Sequence, residues 1–441
     1  MSTSPVPPAP VTLVTGGTSG IGRKMARKVP AMNESLVIAA SASGQRTALP
    51  LTGRPALYLL ASLIVSLLAA SSAPTPLYGT YQELWHFTPI TTTVVFGVYA
   101  LAVLAALLVL GRLSDHVGRR PVLLAALAVQ VVSLVLFTAA DGITGLLVAR
   151  IVQGLSTGAA LGAIGAGLLD IDRTRGALAN AASPGTGSGA GAILSALAVR
   201  YLPAPTHLIY LVLIGVIVAQ AAGVALMRET ATPAPGALAS LRPEITVPRT
   251  VRAHILTAAP VVFAVWALAA LYGALGPALV QALTGSGDVV LGGLSLTVLT
   301  AFGVGAVLAL RAAAARTVMI TGITALITGV AITLFALTLR SPAVFFAGTA
   351  VSGIGFGSGF QGGIRTVVPQ VAVHERAGVL SLLFVISYLG LGVPAVAAGF
   401  LAVHGAGLIG AARYYGAALI LLAASALIPL IRAKRQDLRQ R

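Results

Sequence analysis

Cysteine is absent from the 441 residues, which excludes disulfides, a thiolate nucleophile and a thiolate-held metal. Charge is nearly as scarce. Charged side chains make up 9% of the chain, against about 25% in soluble proteins. So few charges cannot cover a water-facing surface, and the mean hydropathy of +0.95 puts most of the exterior against lipid. The six histidines are scattered, with no helical pairing that would hold a metal. Lysine is limited to Lys24, Lys28 and Lys434.

What the chain does have is long apolar runs, each near the roughly 20 residues needed to cross a bilayer. Twelve are expected: 56–75, 91–110, 121–139, 145–168, 177–199, 207–227, 254–276, 291–310, 318–338, 343–364, 377–401 and 410–431. They are too continuous for barrel strands, and backbone polar groups in lipid must be satisfied within the segment, so helices are required. Threading the chain back and forth collects 24 of the 28 basic residues on one side. The positive-inside rule makes that side cytoplasmic and puts both termini there, in a cell (inner) membrane. The net charge of +17 therefore records topology and attraction to lipid, and nucleic acid is not an expected partner.

A repeat divides the chain. Gly154, Gly158 and Gly162 are spaced by four, as are Gly355, Gly359 and Gly363, and the two sets differ by 355 − 154 = 201. The same offset relates Gly189 to Gly390 and Gly191 to Gly392. Such ladders let helices approach closely. The expected fold is all-α and integral to the membrane, with two pseudo-symmetric six-helix halves over 51–227 and 254–432. A proline-rich cytoplasmic linker, 228–253, joins them, and 433–441 form a short tail.

Between the second and third runs stands Gly111-Arg112-Leu113-Ser114-Asp115-His116-Val117-Gly118-Arg119-Arg120. It resembles the major facilitator superfamily signature G-x-L-[AS]-D-[RK]-x-G-[RK]-[RK], departing at His116. Arg150, Gln153 and Gly154 are similar to that family's R-x-x-Q-G motif. The resemblance covers 51–432 and implies a secondary transporter working by alternating access as a monomer, with a small-molecule solute and no cofactor. It implies that Asp115 gates the cytoplasmic face against the start of the eleventh run near Arg376, where a helix N-terminus favours negative charge. Gly111 and Gly118 would permit the turn, and Arg119 and Arg120 would belong to the gate as well as fix topology. The second copy of this loop, at Ala312, Ala313 and Arg316, carries no acid. The fifth run, Ser183-Pro184-Gly185-Thr186-Gly187-Ser188-Gly189-Ala190-Gly191, departs from the family's antiporter motif G-x-x-x-G-P-x-x-G-G, so efflux of an organic solute is an expectation only.

No acid lies near the middle of any run, and Arg150 is the only charge clearly inside one. Protons remain a candidate coupling ion, and Arg150 either serves transport or snorkels to the interface. By family analogy a pocket lined by the first, fourth, seventh and tenth runs would draw on Ser66, Gln153, Trp266, Tyr272 and Gln361. Such a lining suits a small amphipathic or weakly charged solute.

One stretch stands apart. Val11-Thr12-Leu13-Val14-Thr15-Gly16-Gly17-Thr18-Ser19-Gly20-Ile21-Gly22 resembles the cofactor turn of the short-chain dehydrogenases, T-G-x-x-x-G-I-G. It would make a membrane-anchored NAD(P) oxidoreductase the alternative function. No tyrosine precedes any of the three lysines by four residues, so that family's Tyr-x-x-x-Lys pair is missing. One strand and one helix cannot bury a core. Residues 1–50 are therefore expected to be a disordered cytoplasmic tail, a fusion remnant or the product of a misplaced start, with Met25 and Met32 as internal candidates.

Overall fold

The computed structural model describes residues 51–243, 247–372 and 375–439. The glycine-rich stretch at 11–22 and the rest of the tail lie outside them. Twelve long helices cross the molecule. The first six are α1 (Arg54–Trp85), α2 (Pro89–Leu110), α3 (Arg119–Ala139), α4 (Ile143–Ile171), α5 (Arg173–Tyr201) and α6 (Pro205–Ala225). The second six are α7 (Arg252–Thr284), α8 (Val289–Ala309), α9 (Ala315–Leu339), α10 (Pro342–Val367), α11 (Arg376–Leu401) and α12 (Gly407–Arg439).

Ten stretches are long and apolar enough to span a bilayer. One of these, Gly378–Leu427, contains both α11 and α12, parted where His404 and Gly405 leave helical backbone angles. Gly405 has φ +125°, a value that favours glycine. The twelfth helix, α5, is too rich in Ser, Thr, Gly and Asn to qualify by hydropathy.

Helix starts follow from local chemistry. Pro89, Pro205 and Pro342 open α2, α6 and α10, where a missing N–H costs nothing. The carboxylates of Asp172 and Asp288 accept backbone N–H groups at the starts of α5 and α8.

Two boundaries differ from expectation. The first and seventh runs are expected to end at 75 and 276, but both helices continue. α1 pauses at Ala73 and resumes from Pro74 to Trp85. α7 widens into a π-turn at Leu271–Leu275 and continues to Thr284. Each is therefore over 30 residues long, with a break near the middle.

One large hydrophobic core is drawn from α1, α3, α4 and α6, and a second from α7, α9, α10 and α12. The halves meet along two seams, α2 against α11 and α5 against α8. The two halves share a plan, but the glycine register of 201 is not the structural one. Gly154 and Gly158 of α4 press on α2 at Tyr99 and Val103. The same contacts in the second half come from Gly353 and Gly357 of α10, against Leu299 and Gly303 of α8. That offset is 353 − 154 = 199. Gly359 and Gly363 face α7 instead, and Gly355 faces α9. Gly189, which abuts Thr297 and Thr300, matches Gly392 against Gly97 and Ala100. Turns and breaks shift each helix pair separately, so no single offset survives.

Candidate functional site

Three sites hold the polar chemistry. The first lies at the arginine-rich end. A one-turn helix, Leu113–Val117, carries Asp115, and Gly118 then turns the chain into α3 with φ +106°. Arg119 is the hub. Its guanidinium donates to Ser114 Oγ at 2.7 Å and to Asp170 of α4 at 3.3 Å, and it pairs with Asp115. Glu229, from the segment after α6, accepts the backbone N–H groups of Arg119 (2.8 Å) and Arg120 (2.9 Å). It thus caps the start of α3, where the helix dipole favours an anion. Burial pushes the Glu229 carboxyl up, but backbone N–H groups from Ala231, Arg119, Arg120 and Thr230 outweigh it and hold the carboxyl below its ordinary range. A Cβ on residue 118 would stand 2.7 Å from Glu229 Oε2, which explains the glycine. Gly111 allows Gly162 of α4 to approach closely: a Cβ on Gly162 would lie 3.2 Å from Gly111 Cα. His116 fastens the following chain as well, with its ring nitrogen 3.0 Å from Pro235 O and its carbonyl accepting Ala234 N–H. One cavity of about 450 Å³ opens here between Arg120, Leu124, Glu229 and Pro233, away from the seams between the halves.

The second site is the break in α1. Pro74 has no N–H, so the Ala70 carbonyl loses its helical donor. Gln153 Nε2 replaces it at 3.0 Å. Arg150 donates to Ser71 O at 2.7 Å and to Gln153 Oε1 at 2.7 Å, while Ser195 of α5 donates to Ala73 O at 2.6 Å. The Tyr78 hydroxyl accepts from Arg150 Nε (3.2 Å) and Nη2 (2.6 Å). The rings of Tyr78, Tyr99 and Phe137 flank the guanidinium at 5.3–5.8 Å from their centroids. Arg150 is 1% exposed, so it does not snorkel. The cation and its neighbours clasp a helix that proline has opened.

The third site is the seam. Trp266 of α7 packs edge-on against Phe360 (5.6 Å) and tilts over Tyr388 of α11 (5.1 Å). Tyr99 and Phe96 of α2 join this cluster from the other half. The indole Nε1 is buried with no hydrogen-bond partner. At the arginine-poor end Arg200 of α5 pairs with Asp288 at the start of α8. That pair holds the Asp288 carboxyl below its ordinary range.

The expected site residues therefore separate. Asp115, Gly118, Arg119 and Arg120 gather at one end, and Arg150 and Gln153 at the α1 break, where Gly154 packs on α2. Trp266 lies at the seam. Ser66 does not: its hydroxyl bonds Gln220 of α6 at 2.6 Å. Tyr272 bonds Thr333 (2.6 Å) and Ser352 (3.2 Å) inside the second half. These two hydroxyls are committed away from the seam, because a span's break turns its polar positions toward neighbours in its own bundle. The buried Gln361 Oε1 has no partner. Sequence reasoning missed Glu229, Asp170, Ser195 and Tyr388. Pro74 was the available signal for Ser195, since a proline inside a span implies a borrowed donor.

The family model described as Major Facilitator Superfamily matches residues 57–392. Among solved structures, the nucleoside transporter NupG is similar at 13% identity and a TM-score of 0.63, over 85% of this chain and 99% of that one. The human organic anion transporter MFSD10 is similar at 15% identity and a TM-score of 0.61, over 85% and 100%.

Proposed function

This chain belongs to the major facilitator superfamily, and from that premise we propose that it exports a small organic or amphipathic solute by alternating access, as a monomer in a cell (inner) membrane. The observation that carries the reading is the seam between two six-helix bodies, with the unpartnered Trp266 Nε1–H among rings from both. A solute that accepts this hydrogen bond while stacking on Tyr388 or Phe360 would replace ring contacts between the halves with its own. The orphaned Gln361 oxygen is a second candidate contact. Family membership gives the oxidoreductase alternative no support.

Orientation follows from charge. With the arginine-rich end in the cytoplasm together with both termini, the Arg200–Asp288 pair and the Gly399–Thr93 contact lie on the outer side. The conformation is then closed to the outside. Asp115 pairs here with Arg119, and its contact with the start of α11 would form when the inner ends approach. Gly111, Gly118, Arg119 and Arg120 shape and hold that gate, and Arg150, Gln153 and Gly154 hold the first half together as it moves.

A transport screen of organic solutes in proteoliposomes, each with wild type and Trp266→Phe, tests the reading. Saturable flux that weakens in Trp266→Phe is expected. Saturable flux insensitive to that change would move the pocket elsewhere. Removal of residues 1–50 should leave flux intact, and its loss at normal expression would give the tail a role.

A further inference from the structure

A carrier driven by protons needs a group that gains and loses one while facing each side in turn. Carboxylates and imidazoles titrate below or near neutrality, whereas phenols and guanidiniums do not. The sequence holds eleven acids and six histidines, and their placement is informative. Among the described residues, Glu83 closes α1, Asp141 precedes α4 and Asp288 caps α8, all at the arginine-poor end. Asp115, Asp170, Asp172, Glu229 and Glu375 lie at the other end. His207 and His254 sit in first turns, and His86, His116 and His404 in turns or short loops.

Several end carboxylates also have fixed partners. Asp115 and Asp170 share Arg119, Asp288 has Arg200, and Glu229 binds the N-terminus of α3. Inside α4, about two turns from its start, the buried charge is Arg150. The groups facing it are Tyr78 from α1, Tyr99 from α2, Phe137 from α3 and Gln153 of α4, and Tyr81 and Tyr210 bond one another nearby at 3.1 Å. That shell contains no carboxylate or imidazole, so it neutralises the guanidinium with hydroxyl, amide and carbonyl dipoles and ring faces. The clasp is complete without a proton to exchange.

We propose that this carrier moves its solute without a proton cycling on the protein, as a facilitator or a solute exchanger driven by the solute's own gradient. The buried positive charge of Arg150, with no acid among the groups facing it, also sets the interior against cationic solutes. The inference rests on the carrier reading above and narrows it: the family fold supplies alternating access, and among the described residues no carboxylate lies near the middle of a span, while the buried, unpartnered His254 Nδ1 sits in the first turn of α7 at the arginine-rich end.

The test needs no solute. The cysteine-free chain accepts spin labels at chosen sites only. One pair, Leu84→Cys with Leu339→Cys, reports across the arginine-poor end, and another, Leu169→Cys with Ala312→Cys, across the arginine-rich end. All four sites are exposed and none belongs to the sites above. Double electron–electron resonance in lipid nanodiscs should give distance distributions that do not change between about pH 6 and about pH 8.5. A sigmoidal redistribution with a midpoint inside that window overturns the proposal, because it requires a titrating group that controls the two states. Asp288→Asn provides the internal standard. It should shift the first pair's distances at every pH in the window. If Asp288→Asn and Asp115→Asn both leave all distances fixed, the alternating-access reading itself fails, an outcome separate from pH sensitivity.

Discussion

The two halves break their first helix equally far from its start, at Ala73 and at Leu271, and mend it differently. In α1 the opened carbonyls of Ala70 and Ser71 are met by an amide and a guanidinium from α4. In α7 the π-turn absorbs the irregularity, and neutral hydroxyls suffice: Tyr415 of α12 donates to Ala267 O at 2.7 Å and Ser295 of α8 to Tyr272 O at 3.4 Å. One half thus fixes its hinge with a buried charge, while the other leaves its hinge lightly held. The arginine-rich ends differ in the same sense. The first half links Asp115, Arg119, Asp170 and Glu229. In the second, Arg365 reaches only the carbonyls of Leu310, Arg311 and Ala313. Repetition of a fold conserves where helices pack and leaves free the chemistry that stiffens them.

The largest effect should come from Arg150. Arg150→Lys keeps the charge but loses the planar fork that spans Ser71, Gln153 and Tyr78. Transport should fall more than about tenfold, with a stability loss of about 1.5–3 kcal/mol for each charge-assisted bond that is not replaced. Tyr415→Phe, the counterpart in the second half, should cost about 1 kcal/mol. Thermal unfolding of the two variants in one detergent compares them directly, and equal losses would end the distinction between a firm and a soft hinge.

Next in size are the packing glycines. A Cβ on Gly158 would stand 2.5 Å from Val103 O, and one on Gly353 would collide with Leu299 O. Gly158→Ala and Gly353→Ala should each destabilise by about 1–3 kcal/mol through overpacking. Gly359→Ala crowds a methyl of Val265 and no backbone atom closer than 3.8 Å, so it should cost less, and Gly215→Ala, with open space around it, should be neutral. If Gly359→Ala proved worse than Gly353→Ala, the 201 register would be the functional one after all.

A smaller effect is expected at the Arg200–Asp288 pair of the arginine-poor end. Asp288→Asn removes the ion pair with Arg200 yet leaves an acceptor for Val290 N–H, so α8 should stay capped while the seam loosens. Because pairing lowers the Asp288 carboxyl, its contribution is fully present above the ordinary carboxylate pKa and disappears as pH falls through the lowered value. Acid, not alkali, should therefore mimic Asp288→Asn in the spin-label distances.

The smallest concerns the segment after α6. Glu229 follows the same sign: depressed in the folded state, its hold on α3 is present above the usual carboxylate range and lost as pH falls through the lowered value. A spin label at Leu238, 85% exposed, should become more mobile in Glu229→Gln and in acid. Unchanged mobility would assign the attachment to His116 and Ala234 instead.

Much of this was legible in the sequence, and the failures share a cause. Spans, halves and the Asp115 motif could be found because hydropathy and short-range turn chemistry are local properties. Ser66 and Tyr272 were misplaced because a helix with a mid-span break presents different faces above and below it. Glu229 was passed over because a carboxylate that caps a helix 110 residues earlier leaves no local pattern. The 201 offset was real as arithmetic and wrong as geometry, since insertions in individual turns move each helix pair independently.

The low hydropathy of α5 has a consequence for how the protein is made. Asn180, Ser183, Thr186 and Ser188 fall in a helix whose glycines fit α1 at Val65 and Ala69 and α8 at Thr297 and Thr300. When α5 leaves the ribosome, α1 already exists but α8 does not. A segment this polar partitions poorly into lipid by itself, so α5 should enter the bilayer only in the company of α1, and its second small-residue face should stay unsatisfied until the other half is synthesised. Glycosylation-site mapping during cell-free translation reads this order: α5 alone should fail to insert, and a fragment carrying α1 to α5 should insert it. During that interval the nascent first half is a client for whatever shields polar helices at the translocon, and the rate of synthesis through 202–288 becomes a determinant of yield.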